Sequence, residues 1–186
     1  MLDELKKELE HCTKCPLHLG RNKLVFSDGS KNAKIMLIGE APGADEDKLG
    51  IPFVGRAGKF LNELLDKAGI DRKSDLYIAN TVKCRPPENR KPLPNEKIAC
   101  EGNLFKQIEV VKPKVIILCG STAVETFIKD KKLTITKIRG QVFDYKEGIK
   151  LVPIFHPSYL LRKHSTEPDA PRALTLKDLE MVKTLV

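Results

Sequence analysis

Lys34-Ile35-Met36-Leu37-Ile38-Gly39-Glu40-Ala41-Pro42-Gly43 decides the fold: a short apolar run stops at glycine, a carboxylate, proline and a second glycine. The run from Ile35 to Ile38 shows no polar alternation, as a strand covered on both faces requires. Gly39, Pro42 and Gly43 then force a tight turn that leaves peptide N–H groups and Glu40 at the strand's carboxyl end, where open α/β sheets bind ligands. The pattern repeats. Leu76-Tyr77-Ile78-Ala79 ends on Asn80, Val115-Ile116-Ile117-Leu118-Cys119 on Gly120-Ser121-Thr122, and Leu151-Val152-Pro153-Ile154-Phe155 on His156-Pro157-Ser158.

Between these strands lie apolar residues at helical spacing. Leu2, Leu5 and Leu9 open the chain; Phe60, Leu61, Leu64, Leu65 and Ala68 form a stripe that Gly69 stops. A helix resuming at Asn95 carries Leu104, Phe105, Ile108 and Val111, Ser121 reads as the N-cap of a helix through Ile128, and Leu176, Leu179, Val182 and Val186 mark a closing helix. Ala44 to Gly58 reads as a long polar loop, Ile135 to Tyr145 as irregular or extended connections, and Lys163 to Pro171 as loop. Alternation of strand and helix predicts an α/β fold, a three-layer α/β/α arrangement around a central four-stranded parallel sheet. Parallel strands place Glu40, Asn80, Ser121 and His156 on one edge of it.

At 186 residues with 41% hydrophobic content, the chain fits a single domain spanning 1–186 with a two-sided core. A formal charge of +8 points to a polyanionic partner, most simply nucleic acid. No run is long enough to cross a bilayer and the N-terminus lacks the apolar core of a signal peptide, so a cytoplasmic location is expected. Neither Gly-x-Gly-x-x-Gly nor a Gly-Lys-Ser/Thr loop occurs, which argues against a nucleotide- or phosphate-handling enzyme.

Disulfides are not expected of cysteines in such a chain. Cys119 sits in an apolar strand and reads as inert core. Cys12, Cys15, Cys84 and Cys100 lie in polar or turn contexts, the complement for structural zinc or a 4Fe-4S cluster. The loose spacing of the second pair favours iron and sulfur, and the site would pin the N-terminal helix and the basic proline loop from Arg85 to Pro94 to the helix at Cys100.

Taken together, Gly39-Glu40-Ala41-Pro42-Gly43, Pro52-Phe53-Val54-Gly55-Arg56-Ala57-Gly58, Asn80-Thr81-Val82-Lys83-Cys84-Arg85-Pro86-Pro87 and His156-Pro157-Ser158-Tyr159-Leu160-Leu161 resemble the family 4, iron-sulfur uracil-DNA glycosylases. The resemblance runs from about Cys12 to the end. It implies a monomeric base-excision repair enzyme acting on uracil-containing DNA, single- or double-stranded, with a 4Fe-4S cluster on Cys12, Cys15, Cys84 and Cys100. The rival class is a non-enzymatic nucleic-acid-binding protein whose metal site braces a basic loop.

Such chemistry needs the base flipped out of the duplex and held by its edge. Asn80 can accept from uracil N3–H and donate to O4, a pattern that cytosine reverses. Phe53 supplies a stacking surface, and the peptides of Gly39, Glu40 and Ala41 a cradle for the carbonyl edge. His156 would donate to uracil O2, where charge accumulates as the bond breaks. In other uracil glycosylase families an aspartate that positions water occupies the place of Ala41; Glu40 is the nearest substitute here. Glu46 is a second candidate carboxylate, which can instead fill the space beside uracil C5. Leu160 and Leu161 resemble the apolar wedge that replaces an extruded nucleotide, with plain helix core as the rival reading for either one. Arg56, Arg85, Arg90, Ser158 and Arg162 are candidate phosphate contacts.

Overall fold

The computed structural model describes residues 1–165 and 167–186. Four parallel strands form its centre: β2 (Ile35–Gly39), β3 (Leu76–Asn80), β4 (Val115–Cys119) and β6 (Lys150–Ile154), in the order β3-β2-β4-β6. Two-residue strands extend the edges: β1 (Asp28–Gly29) runs antiparallel to β3 and β5 (Phe143–Asp144) antiparallel to β6, so the sheet has six strands rather than the four expected. A strand of two residues has no periodicity to read, and Asp28-Gly29 carries the composition of a turn.

Side chains along β2 alternate between two cores. Met36 and Ile38 face a layer that includes Leu2, Leu5 and Leu9 of α1 (Leu2–Glu10), Leu104 and Ile108 of α4 (Pro94–Val111), and Val124 of α5 (Ser121–Phe127). Ile35 and Leu37 face Leu61 and Leu65 of α3 (Arg56–Lys67), Leu160 of α7 (Pro157–Leu160), and Leu179 and Val182 of α8 (Pro171–Lys183). Covering both faces explains why the inner strands are almost wholly apolar. Among the described residues no helix is long and apolar enough to cross a membrane.

Three expected boundaries shift. The segment from Ala44 to Gly58 is not all loop: Ala44–Leu49 is a short helix, α2, with Gly43 as its N-cap, and α3 begins at Arg56. Ser121 is the first helical residue of α5, and Gly120, at φ 90°, is the cap. Within Ile135 to Tyr145, one turn of helix, α6 (Ile135–Ile138), precedes β5. The short helices α2 and α6, of six and four residues, are too short for a hydrophobic stripe to repeat. In the loop expected from Lys163 to Pro171, Thr166 lies outside the described residues.

Candidate active site

The carboxyl ends of the inner strands open into a cavity of about 360 Å3. The turn after β2 contributes Glu40, Ala41, Pro42 and Gly43; α2 contributes Glu46; β3 ends there on Asn80; His156 and Ser158 follow β6. Phe53 and Gly58 close one side, and Pro86, Asn89 and Arg90 of the proline loop the other. The structure thus brings together most residues that the sequence assigned to one crevice.

Asn80 is buried and its Oδ1 has no hydrogen-bond partner. An unsatisfied buried acceptor costs about 1–3 kcal/mol, so such an atom on a cavity wall marks the place of a donor that arrives with a ligand. The Asn80 carbonyl oxygen, by contrast, accepts from Lys83 Nζ at 2.8 Å. Gly39 forms the floor: a Cβ there would lie 2.5 Å from Asn80 Oδ1 and 2.5 Å from Phe53 Cζ.

Phe53 is held in the left-handed region, at φ 52°, which non-glycine residues seldom adopt. Two groups fix it there. Arg72 donates to the Phe53 carbonyl at 2.9 Å, the Pro52 carbonyl at 2.6 Å and Asn62 Oδ1 at 2.9 Å. The Glu46 carboxylate accepts from the backbone N–H of Val54 at 2.9 Å, Gly55 at 2.7 Å and Gly43 at 3.0 Å. Gly58 lets α3 pass against the Phe53 backbone, since a Cβ there would fall 2.1 Å from the Phe53 carbonyl carbon. Glu46 therefore lines the cavity with its acceptors spent on the loop. Arg72 was invisible in Asp71-Arg72-Lys73-Ser74, which reads as ordinary surface.

His156 stands opposite, its ring centroid 6.0 Å from that of Phe53. The backbone N–H of Ser158 donates to His156 Nδ1 at 3.2 Å, and the Ser158 hydroxyl lies 2.7 Å from the same nitrogen. With Nδ1 an acceptor, a neutral ring carries its proton on Nε2. Burial lowers the His156 pKa from its ordinary value, opposed by the negative charges of Glu40 and Glu46. The ring is consequently a neutral donor at neutral pH.

Glu40 Oε2 accepts a hydrogen bond from the hydroxyl of Thr122, a buried residue in the first turn of α5. Its carbonyl accepts from Thr81 Oγ1 at 2.5 Å and Val82 N at 3.2 Å. Glu40 is thus tethered at both ends, and it separates the main cavity from a neighbouring one of about 330 Å3 that includes Lys91, Ser121, Tyr159 and Arg162. Nothing in the sequence around Thr122 marks it, because the hydroxyl acts across the sheet and not along the chain.

The basic residues divide. Arg56 and Arg162 are exposed, while Arg85 bonds Asn89 Oδ1 at 2.8 Å. Arg90 is engaged by buried Glu96 through bonds of 2.9 and 2.7 Å and leaves little for a phosphate; that pairing first, opposed by desolvation, lowers the Glu96 pKa. Of the two readings open for the leucines, helix core holds for Leu160. Its side chain is fully buried against α8, whereas Leu161 is half-buried. Adjacent residues on one helical turn point about 100° apart, so one leucine faces the core and the other turns away from it.

Cys12, Cys15, Cys84 and Cys100 line one cavity between α1, the segment after β3 and α4; Cys119 lies apart in β4. Desolvation raises the Cys15 and Cys84 thiols and pushes Cys119 far up. Arg21 donates to Cys84 Sγ at 3.2 Å. Lys83, also on this cavity, is buried, and desolvation lowers its pKa to about 8 against the pull of Cys100. Among the described residues no three Cys, His, Asp or Glu side chains converge on one point as a single ion requires.

Parallel strand ends that bring an amide, an aromatic ring and an imidazole into one cavity define a protein that can hold a flat, polar ring by its edge and its face. The chain belongs to the uracil DNA glycosylase superfamily, whose sequence profile matches residues 26–180. Within it, the chain is similar to the type-4 uracil-DNA glycosylase of Thermotoga maritima, 47% identical over 186 residues that cover 100% of this chain and 95% of that protein. The type-4 uracil-DNA glycosylase of Archaeoglobus fulgidus is 40% identical over 86% of this chain and 83% of its own length. A type-5 uracil-DNA glycosylase of Pyrobaculum aerophilum is more distant, 30% identical over 71% of this chain and 64% of its own length.

Proposed function

We infer that this chain excises uracil from DNA, leaving an abasic site, and does so as a single-domain monomer. The observation that carries the reading is Asn80 Oδ1, buried without a partner on the wall of the strand-end cavity, across from a neutral imidazole. Uracil N3–H is the donor that this acceptor lacks, and the Asn80 amide nitrogen donates to O4. Cytosine would set an acceptor against the oxygen and an amino group against the amide N–H, leaving buried groups unpaired. Phe53 stacks on the base.

Water adds to C1′ as the bond from C1′ to N1 breaks, and uracil departs as an anion. His156 Nε2–H donates to O2 of the departing base, which stabilises the charge where it collects. Glu40, fixed by Thr122, orients the water and takes its proton. Glu46 holds the loop that presents Phe53. The exposed cations Arg56 and Arg162, with Arg85 and Ser158, contact the DNA backbone on either strandedness of substrate, and Leu161 fills the gap left by the flipped nucleotide.

Cys12, Cys15, Cys84 and Cys100 suit a 4Fe-4S cluster: four thiols line one cavity, and Lys14, Arg21 and Lys83 line it with them. When bound, that group is a structural staple tying α1 and the proline loop to α4. Equal amounts of iron and inorganic sulfide in brown protein support it; colourless, zinc-containing protein overturns it.

The activity is tested on a labelled oligonucleotide with one uracil. Purified, cluster-loaded protein should leave an alkali-labile abasic site. No product from protein that still binds DNA would favour the non-enzymatic reading instead.

A further inference from the structure

Lys83 is among the largest fully buried side chains, and among the described residues no carboxylate pairs with it. Its ammonium gives one hydrogen bond, to the Asn80 carbonyl at 2.8 Å. It also lines the cavity that holds the four cysteines. A buried cation with one neutral acceptor is costly unless an anion stands near. Thiolates can be that anion, and a 4Fe-4S cluster on four thiolates retains net negative charge.

The backbone around Lys83 joins the two sites. Thr81 N donates to the Gly39 carbonyl at 2.9 Å and Val82 N to the Glu40 carbonyl at 3.2 Å, so the segment from Asn80 to Cys84 is zipped to the turn that floors the uracil slot. Val25 N donates to the Lys83 carbonyl at 2.9 Å and holds the other side. Asn80 presents its amide at one end of this segment and Cys84 its thiol at the other.

We propose that Lys83 is a positioning residue that couples the cysteine cavity to uracil reading: its ammonium fixes the Asn80 carbonyl while serving as counter-charge to the group that the cysteines hold. The proposal rests on the function inferred above, in which Asn80 reads uracil and the cysteines carry the cluster. It differs from a packing role because apolar filling of the same volume would satisfy neither end.

The test uses purified, cluster-loaded protein and two readouts besides turnover: inhibition by free uracil, which reports on the Asn80 slot, and the rate at which a ferrous chelator bleaches the visible absorbance. Lys83→Met should weaken uracil inhibition and speed bleaching, each by about 10-fold or more, the usual cost of losing a partner just outside a metal's ligands. Arg21→Met, which loses a cation at Cys84 but none at Asn80, should speed bleaching and leave uracil inhibition within about 2-fold, as expected of independent sites. Lys83→Gln keeps a donor without the charge; it should bleach quickly with a smaller loss of uracil affinity than Lys83→Met, and it carries both readouts should the methionine variant not fold.

Wild-type values for either readout in both Lys83 variants overturn the coupling. Failure of the underlying reading looks different, because wild-type protein would then bind no uracil or contain no iron and sulfide.

Discussion

Asn80 Oδ1 lies 2.5 Å from the point a Cβ on Gly39 would occupy. The floor of the slot and its reading group are therefore set against each other by the parallel register, in which Gly39 pairs with Asn80 across β2 and β3. Phe53 Cζ is equally near the same point, so one added methyl would press on the amide and the ring together. A displacement of about 1 Å at such a site costs on the order of 10²-fold in rate. Gly39→Ala should lower kcat/KM on a uracil oligonucleotide by about that factor, with far-UV circular dichroism unchanged. Undiminished excision would mean that the base is read elsewhere.

His156 gives a prediction with a sign. Its pKa is lowered in the folded protein, chiefly by burial, so the neutral ring is favoured by folding. Protonation at Nδ1 would set a proton against the Ser158 N–H that points at it. The acid limb of kcat/KM that reports His156 should consequently fall below the ordinary histidine value of about 6.5. The same shift makes a stability contribution that is present above that ordinary value and is lost as pH falls through the lowered one. His156→Ala should cut turnover by about 10²- to 10³-fold while DNA binding persists, and its melting temperature should depend less on pH across that window.

The sheet and the strand-end residues were legible because buried parallel strands read as unbroken apolar runs, and Gly39, Asn80, Gly120 and His156 stand where those runs stop. Burial and contact across the chain were not. Leu160 and Leu161 are neighbours of one chemistry, and only the direction of a single helical turn sends the first into the core. Arg72 reaches Phe53 over nineteen positions, and Thr122 reaches Glu40 over eighty-two; neither separation leaves a local pattern. Arg90 looked like a free cation because its partner Glu96 becomes buried only when α4 packs.

Thr122 tests the assignment of the water to Glu40. Its hydroxyl is the one side-chain donor to that carboxylate among the described residues, and it comes from a buried position that holds it still. Thr122→Val preserves shape and removes the donor, so Glu40 gains rotamer freedom while the slot stays intact. kcat should fall by about 10-fold with KM little changed, the pattern of an interaction that matters in the transition state. Glu40→Gln should lose more, and adding Thr122→Val to it should cost almost nothing further. Additive losses in the double variant would separate the two residues and return the water to another group.

The two leucines after the histidine motif should part company under substitution. Leu160 is enclosed by Leu179 and its neighbours, and truncating a buried leucine costs about 2–5 kcal/mol, so Leu160→Ala should lower the melting temperature by several degrees on any substrate. Leu161 lies half-buried next to the exposed Arg162, and Leu161→Ala should cost about 1 kcal/mol or less. Its effect belongs to the substrate instead. A wedge replaces a base lost from a stack, and single-stranded DNA has little stack to restore, so Leu161→Ala should slow excision from a duplex by a larger factor than excision from a single strand. Equal slowing on both would leave the flipped nucleotide's gap to be filled by some other side chain, with Tyr159, half-buried two positions earlier and already lining the neighbouring cavity, as the next to replace.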